Sequence, residues 1–510
     1  MERGENMNDA INCGCATDRV FTPEEITNIA KIKRFSEYYQ ADVPMRNRLA
    51  KGEGFTSAEK KWLKKIGVDI NLDDLAFYWK EPTETLVYVM CITKGWDDKI
   101  TPEAQAAADK YPLLKLWAQW SKNRCNIRMF IKRFENLESS DVKFQAWRKR
   151  RMASAKSELG FFGIQIGHPA FAFELNRGCS VGCWFCSFAT DKLTGTLDYP
   201  QNKEEVMNIV RQCGEMFGKD LIKMTLPYYR TEPHDNPHYI DFLKDFERET
   251  GGVLCTATAC CNDTNWIGDL IEYYHKREDG QIYFWPRLSI LSLGMLKKVH
   301  SSFTPFELKD VEMLIQVKDS GLQKVTGGRI FDEQAGLRGV EDFSGNREEL
   351  LTIVPQGSIS CVSGFCINLV EKVIMVFSPC YTSAKWPHGF RVYGQTTYAD
   401  ENDFGTAINE LVERCMFMSP PPDKPVRFRD DIIYRPTESG YDLATANQLH
   451  HFKGKGKLAM VGKLIAEGTR TYDELTEHLI NEHGLNPIIL RTVIQQLFDD
   501  GFLCENYDFS

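Results

Sequence analysis

Glu174-Leu175-Asn176-Arg177-Gly178-Cys179-Ser180-Val181-Gly182-Cys183-Trp184-Phe185-Cys186 places three cysteines on one short stretch, separated by three residues and then by two. It continues Phe171-Ala172-Phe173-Glu174-Leu175, whose alternation predicts a strand. The cysteines therefore fall on the loop leaving the strand's C-terminal end. Three thiolates on one loop can hold three irons of a [4Fe–4S] cluster. Such clusters are ordinarily held by four cysteines, so the fourth iron is left open to a small molecule. Zinc is the competing metal, but it favours paired Cys-x2-4-Cys units or histidines at set spacing. No histidine lies between His168 and His234, so zinc would need a distant ligand. Three buried apolar cysteines are the remaining alternative.

Composition narrows the class. The 510 residues allow two to four domains, and 43% apolar with 12% aromatic residues can fill large cores. A net charge of −9 disfavours wholesale nucleic-acid binding. No apolar run is long enough to span a bilayer, and Met1-Glu2-Arg3-Gly4-Glu5-Asn6 lacks a signal-peptide core, so a soluble cytoplasmic protein is expected, with no membrane partner. Sixteen cysteines in that setting point to thiols and clusters rather than a disulfide framework.

Read in order, residues 1–20 look like a flexible tail containing Cys13-Gly14-Cys15. Residues 21–160 read as a helical region, with starts at Thr22-Pro23-Glu24-Glu25 and Thr56-Ser57-Ala58-Glu59. From Ser121 to Lys156, eleven basic residues face three acidic ones, including Arg148-Lys149-Arg150-Arg151. A solvated helix face is the favoured reading, and a docking surface for an acidic peptide the sharper one. Residues 161–320 form the core, where strand and helix alternate. The expected strands are Lys223–Leu226, Val253–Ala259, Arg287–Ser292 and Val311–Val317. The intervening helices are Asn202–Phe217, Tyr239–Glu249, Trp266–His275 and Gly294–His300. This pattern predicts an α/β fold with a parallel sheet and right-handed crossovers. Its active site lies beyond the C-terminal strand ends.

Residues 321–450 are a less regular extension holding Cys361, Cys366, the apolar stretch Val370–Phe377 and Cys380. These thiols and Cys415 are spaced too irregularly for a second compact cluster. Residues 451–510 suggest three short helices and a terminal strand beginning Gly501-Phe502-Leu503, a winged-helix-like domain. Its third helix offers only Arg491 as a cation, so structural support or peptide recognition is favoured over DNA binding.

The three-cysteine spacing resembles the radical S-adenosylmethionine (SAM) signature. The wording Arg177-Gly178-Cys179-Ser180-Val181-Gly182-Cys183-Trp184-Phe185-Cys186 is similar to that of radical SAM peptide epimerases of the proteusin type, which mature ribosomal peptides. Tyr228-Tyr229-Arg230-Thr231-Glu232-Pro233 and Ser378-Pro379-Cys380 with Trp386-Pro387 extend the likeness over most of residues 25–400. The resemblance implies a partial (β/α)6 barrel in which Cys179, Cys183 and Cys186 ligate a [4Fe–4S] cluster and SAM occupies the open iron. Phe185, Glu232, Arg287 and Ser289 are then expected beside SAM, Glu232 in the place of a Gly-Gly-Glu-Pro segment. An Arg suits the SAM carboxylate.

The implied reaction converts L- to D-residues in a precursor peptide. A 5′-deoxyadenosyl radical removes the Cα hydrogen, and a cysteine thiol on the opposite face returns one. Cys380 is the preferred donor, with Cys361 and Cys366 as the other candidates. The implied partners are a leader-plus-core precursor and an electron donor such as flavodoxin or ferredoxin. The N-terminal helices Ile32–Tyr39 through Leu75–Trp79 look like precursor leader segments, which suggests leader recognition or mimicry. The alternatives are a radical SAM enzyme forming thioether or carbon–carbon crosslinks and, in a different class, a cluster-bearing DNA-binding regulator.

Overall fold

The computed structural model describes residues 19–132, 137–160, 163, 166–275, 286–318, 320, 327–330, 358–454 and 456–507. The expected tail with Cys13 and Cys15 lies outside the described residues. The helices used below are α1 (Pro23–Ala41), α2 (Ser57–Lys65), α3 (Val142–Leu159), α4 (Tyr199–Phe217), α5 (Tyr239–Thr250), α6 (Thr264–His275), α7 (Leu293–Ser302), α8 (Lys457–Glu467), α9 (Tyr472–Asn481) and α10 (Pro487–Asp499). The strands are β1 (Phe171–Glu174), β2 (Asn176–Arg177), β3 (Gly195–Thr196), β4 (Thr225–Leu226), β5 (Ala257–Thr258), β6 (Arg287–Ile290) and β7 (Glu312–Ile315). They continue with β8 (Gly364–Asn368), β9 (Val373–Pro379), β10 (Phe390–Thr397), β11 (Ile433–Thr437), β12 (Gly440–Ala444) and β13 (Leu449–Lys453). The protein is α/β, and among the described residues none of its sheets closes on itself. Capping boxes open α1 at Thr22 and Glu25, α2 at Thr56 and Glu59, and α9 at Thr471 and Glu474.

The chain divides into two compact units, residues 1–131 with 259–322 and residues 132–258 with 323–510. In the first unit, Ile29, Ile32, Phe35 and Tyr38 of α1 share one core with Leu288 and Ile290 of β6, Val299 of α7 and Ile315 of β7. β6 and β7 run parallel, with Arg287 opposite Glu312 and Ser289 opposite Leu314. Arg34 is buried and donates to the carbonyls of Ile66 (3.1 Å), His300 (2.9 Å) and Phe303 (2.9 Å), so it caps the C-terminal end of α7. Beside it, Glu37 pairs with Lys33 and lies 3.0 Å from His300 Nε2.

The second unit is built on a five-stranded sheet of order β10-β9-β8-β1-β4. β4 and β8 both run parallel to β1, and β8, β9 and β10 continue antiparallel. Residues 358–397, expected to mix strands with loops, supply three strands, and β8 returns across the chain to the free side of β1. The register sets Ala172 opposite Cys366 and Glu174 opposite Asn368. Side chains alternate between faces. Phe171 and Phe365 therefore stack beneath Phe144 of α3 and Phe217 of α4, while Ala172, Cys366, Met375 and Phe377 pack with Tyr229 and Phe390. The expected strands at Lys223–Leu226 and Val253–Ala259 each shorten to two residues. Before β4 the backbone is committed to turns, with Ile222 N–H donating to Gly218 and Met224 N–H to Leu221.

Near the C-terminus, β11, β12 and β13 form an antiparallel sheet preceding α8, α9 and α10. Val426, Phe428, Tyr441 and Leu443 join the apolar faces of these helices in one core. The expected terminal strand at Gly501-Phe502-Leu503 is reduced to one bridge between Leu503 and Phe428. Arg429 N–H donates to the Phe502 carbonyl at 3.0 Å and Cys504 N–H to the Arg427 carbonyl at 2.9 Å to make that bridge.

Within the basic run Lys149 is exposed, as a solvated face requires, but three of its arginines are not. Arg148, Arg150 and Arg151 are each 1% exposed. Arg148 donates to the His168 carbonyl at 2.7 Å. Arg150 makes a bidentate pair with Glu505 at 2.9 and 2.7 Å and lies over the Phe498 ring, and Arg151 shares the same carboxylate. One acidic residue near the C-terminus thus compensates two buried guanidinium groups. Glu505→Ala is expected to destabilise the protein by about 3 to 5 kcal/mol, because it strands buried charge; the midpoint of urea unfolding measures the loss.

His300 generates a pH dependence. Burial, outweighing the opposing bond to Glu37, pulls its pKa down to about 4 from 6.5. The unfolded chain therefore takes up a proton between those values that the folded chain refuses. Stability is full above the unfolded pKa and declines as pH falls from 6.5 towards 4. The contribution is about 3 kcal/mol. Replacing His300 with glutamine should flatten the melting temperature across that interval.

Candidate functional site

The cysteine loop leaves the C-terminal end of β1, the strand flanked on both sides by parallel neighbours. A hairpin of β2 and β3 frames it, and Cys179 N–H donates to the Asp191 carbonyl at 3.0 Å. Gly178 and Gly182 take left-handed backbone, φ 86° and 64°, which lets the loop reverse twice within five residues. A Cβ at Gly178 would lie 2.3 Å from the Lys192 carbonyl oxygen. Cys179, Cys183 and Cys186 are each half-buried and form no disulfide.

The strand ends around the loop are joined through Glu174. Its carboxylate, 1% exposed, accepts from Arg230 N–H at 2.8 Å, Arg230 Nη2 at 3.1 Å and Asn368 Nδ2 at 3.1 Å. Asn368 also donates to the Asn176 carbonyl at 3.0 Å. Asn176 in turn donates to the backbone carbonyl of Glu232 at 2.9 Å. The Glu232 carboxylate, nearly buried, accepts from the Thr258 hydroxyl and from His234 N–H at 3.2 Å. Asp235 accepts from Ser180 N–H at 2.9 Å, so the segment after β4 is bonded directly to the cysteine loop.

These contacts gather Cys179, Cys183, Cys186 and Glu232 into one site. Burial first, then the neighbouring Cys186 and Cys179 sulfurs and Glu232, push the Cys183 thiol up to about 12. Burial also raises Cys179, against the N–H groups of Val181 and Gly182 and with Glu232 and Asp235 adding to it. Among the described residues no group of three or more His, Cys, Asp or Glu side chains converges on the position of a single metal ion. A four-iron cube puts each thiolate on a different iron, so its ligands stand further apart than those of one ion. The three thiols share one loop, and Cys183 is close enough to Cys186 and Cys179 to feel their charge. Phe185 packs edge-on against Trp184 at the rim.

Arg287 and Ser289 do occupy one side of β6, alternating with buried Leu288 and Ile290, and Arg287 pairs with Glu312 at 3.0 Å. Both belong to the first unit. The three candidate donor thiols occupy different surroundings. Cys380 follows β9 directly but is fully buried; burial raises its thiol, and Arg391 and Glu158 are its charged neighbours. It therefore lies on the α3 side of the sheet rather than among Ala172, Cys366 and Phe377. Cys366 is buried against Glu174 and Arg230, and burial ahead of Glu174 holds its thiol well above the ordinary value. Cys361 is half-buried at the edge of the cluster formed by Tyr229, Phe377 and Phe390.

Asn176, Arg230, Asp235 and Asn368 escaped the sequence reading. Arg230 and Asn176 stand inside the quoted motifs, but nothing local marks a side chain whose partner is on another strand.

The chain is similar, at 27% identity over 492 residues, to the uncharacterized protein y4wI of Sinorhizobium fredii (strain NBRC 101917 / NGR234), covering 96% of this chain and 89% of that protein. No family model matches the chain. No solved structure matches it either.

Because its thiol is so weakly acidic, Cys183 in metal-free protein should alkylate on the order of a thousandfold more slowly at neutral pH than an ordinary cysteine. Iodoacetamide labelling followed by peptide mass spectrometry reads the rate.

Proposed function

We propose that the protein is a radical SAM peptide epimerase acting on a ribosomally made precursor. The observation that carries this reading is the gathering of Cys179, Cys183, Cys186 and Glu232 at the C-terminal end of the central parallel strand. The three cysteines would hold a [4Fe–4S] cluster, and the strands and helices of residues 161–320 would form a partial (β/α)6 barrel. When bound, such a cluster supplies the electron that divides SAM into methionine and a 5′-deoxyadenosyl radical. A small electron carrier of the flavodoxin or ferredoxin kind is the proposed reductant.

The protein's own residues bind, orient and return hydrogen. Glu232, with Asn176 fixing its carbonyl and Thr258 its carboxylate, is held ready for the SAM ammonium. A donor thiol must touch the peptide Cα, so access decides among the candidates. Cys380 and Cys366 are sealed, whereas Cys361 is half-buried beside an aromatic surface. Cys361 is therefore proposed as the donor, in preference to Cys380. A neutral thiol suffices, because a hydrogen atom rather than a proton is transferred.

The N-terminal helices spend Ile32, Phe35 and Tyr38 on their own core. That supports a structural role for these faces, with leader recognition left to the exposed surface. The three-helix module at the C-terminus is proposed as winged-helix-like support.

Coexpression with a small precursor in heavy water tests the reading. Each inverted residue should gain one deuterium, seen by mass spectrometry and chiral amino-acid analysis, whereas loss of two hydrogens would mark a crosslinking enzyme. Cys361→Ala should abolish inversion while leaving SAM cleavage intact. Inversion by that variant together with its loss in Cys380→Ala would return the donor role to Cys380.

A further inference from the structure

Arg329 is joined to the cysteine loop at three points. Its Nη1 donates to the Cys183 carbonyl at 2.7 Å and its Nη2 to the Thr190 carbonyl at 2.9 Å. Its backbone N–H donates to the Cys186 carbonyl at 3.0 Å. A Cβ placed on Gly182 would lie 3.9 Å from Nη1, so the guanidinium covers the loop on the side of the second cysteine.

The approach is tight and depends on the preceding glycines. Gly328 has φ 49°, and a Cβ there would come within 2.3 Å of the Ser187 carbonyl oxygen and 2.4 Å of that of Cys186. Gly328 N–H donates to the Pro387 carbonyl at 2.7 Å, and His388 Nδ1 lies 3.3 Å from the Ser187 carbonyl oxygen. The loop is thereby held between two segments. Among the described residues no acidic side chain forms an ion pair with Arg329. Its hydrogen-bond partners among them are carbonyl oxygens of the cysteine loop, so the guanidinium brings a positive charge to that loop.

We infer that Arg329 is a positioning residue that both sets the Cys183–Cys186 ligand loop and supplies a fixed positive charge favouring a reduced iron–sulfur cluster. The inference rests on the cluster reading. An electron added to a cluster already bearing thiolate charge is favoured by a nearby cation, and local charge and hydrogen bonding set cluster potentials. The fork geometry that reaches two carbonyls belongs to Arg and not to Lys. Loop placement and charge can therefore be separated.

The test uses the full-length protein, reconstituted anaerobically with ferrous iron and sulfide. Iron and sulfide per chain are measured, and the midpoint potential is followed by electron paramagnetic resonance. Arg329→Lys keeps the charge and loses the fork: loading should fall at least twofold, while the clusters that form keep a potential near that of the unaltered protein. Arg329→Gln keeps a short amide donor without charge: its clusters should titrate at a more negative potential, with loss of the reduced signal at a poise where the unaltered protein shows it. Gly328→Ala retains Arg329 but displaces the segment, and should lower loading as Arg329→Lys does. Arg329→Gln and Arg329→Lys variants that load fully and titrate with the unaltered protein would overturn the inference and leave the cluster reading standing. An unaltered protein that takes up no iron or sulfide would overturn the cluster reading itself.

Discussion

A single buried carboxylate governs the working end of the second unit. Glu174 ends β1, where burial without partners would be costly for a charged group. It is satisfied by Arg230 from the segment after β4 and by Asn368 at the end of β8. The carboxylate therefore fixes the ends of three parallel strands relative to one another. The cysteine loop starts immediately beyond it, so the loop inherits this placement. Asn176 and Asn368 extend the same network to the Glu232 carbonyl. An apolar residue at 174 would keep the strand and lose the alignment of everything attached to its end.

The same economy of charge appears behind the sheet, with a different result. Arg391 pairs with Glu158 of α3 at 2.6 and 2.9 Å and also reaches Asp431 at 3.3 Å. Together with the Arg150 and Arg151 pairs to Glu505, these bonds tie α3 to residues hundreds of positions later. Buried ion pairs add little net stability over apolar packing, but removing one partner is severe. Such pairs make the ordering of α3, β10 and the C-terminal segment mutually dependent. The arginines thereby specify which segment meets which.

What the sequence disclosed follows physical range. The helices α4, α5, α6 and α7 lie where periodicity and caps put them, within a few residues, because those signals are local. The position of the cysteine loop after β1 was equally legible, since alternation ends at Glu174. Short strands were harder: β4 and β5 are defined by pairing, and their flanking apolar residues are used in turns or packing. The return of β8 to β1 carries no local mark. Arg148, Arg150 and Arg151 were misread for the same reason, while Lys149 beside them is exposed. Charge predicts exposure only until a partner such as Glu505 is brought to it by the fold.

The proposed donor thiols show how strand parity alters what a side chain can reach. Ser378-Pro379-Cys380 closes an apolar strand, which makes an inward thiol attractive from sequence. Phe377 packs on the Cys366 side of the sheet, and Ser378 and Arg391, paired across β9 and β10, occupy the other. Cys380 stands three positions after Phe377, an odd step, and its charged neighbours Arg391 and Glu158 agree with that side. Cys361 precedes β8 and escapes the alternation, because it lies outside the paired residues. It reaches the Tyr229 cluster from the strand's entry while keeping partial access. For a hydrogen donor that must touch a peptide but not ionise, partial access in an apolar setting is the better qualification than complete burial. The face a thiol occupies, and not the hydrophobicity of the strand that carries it, decides what it can reach.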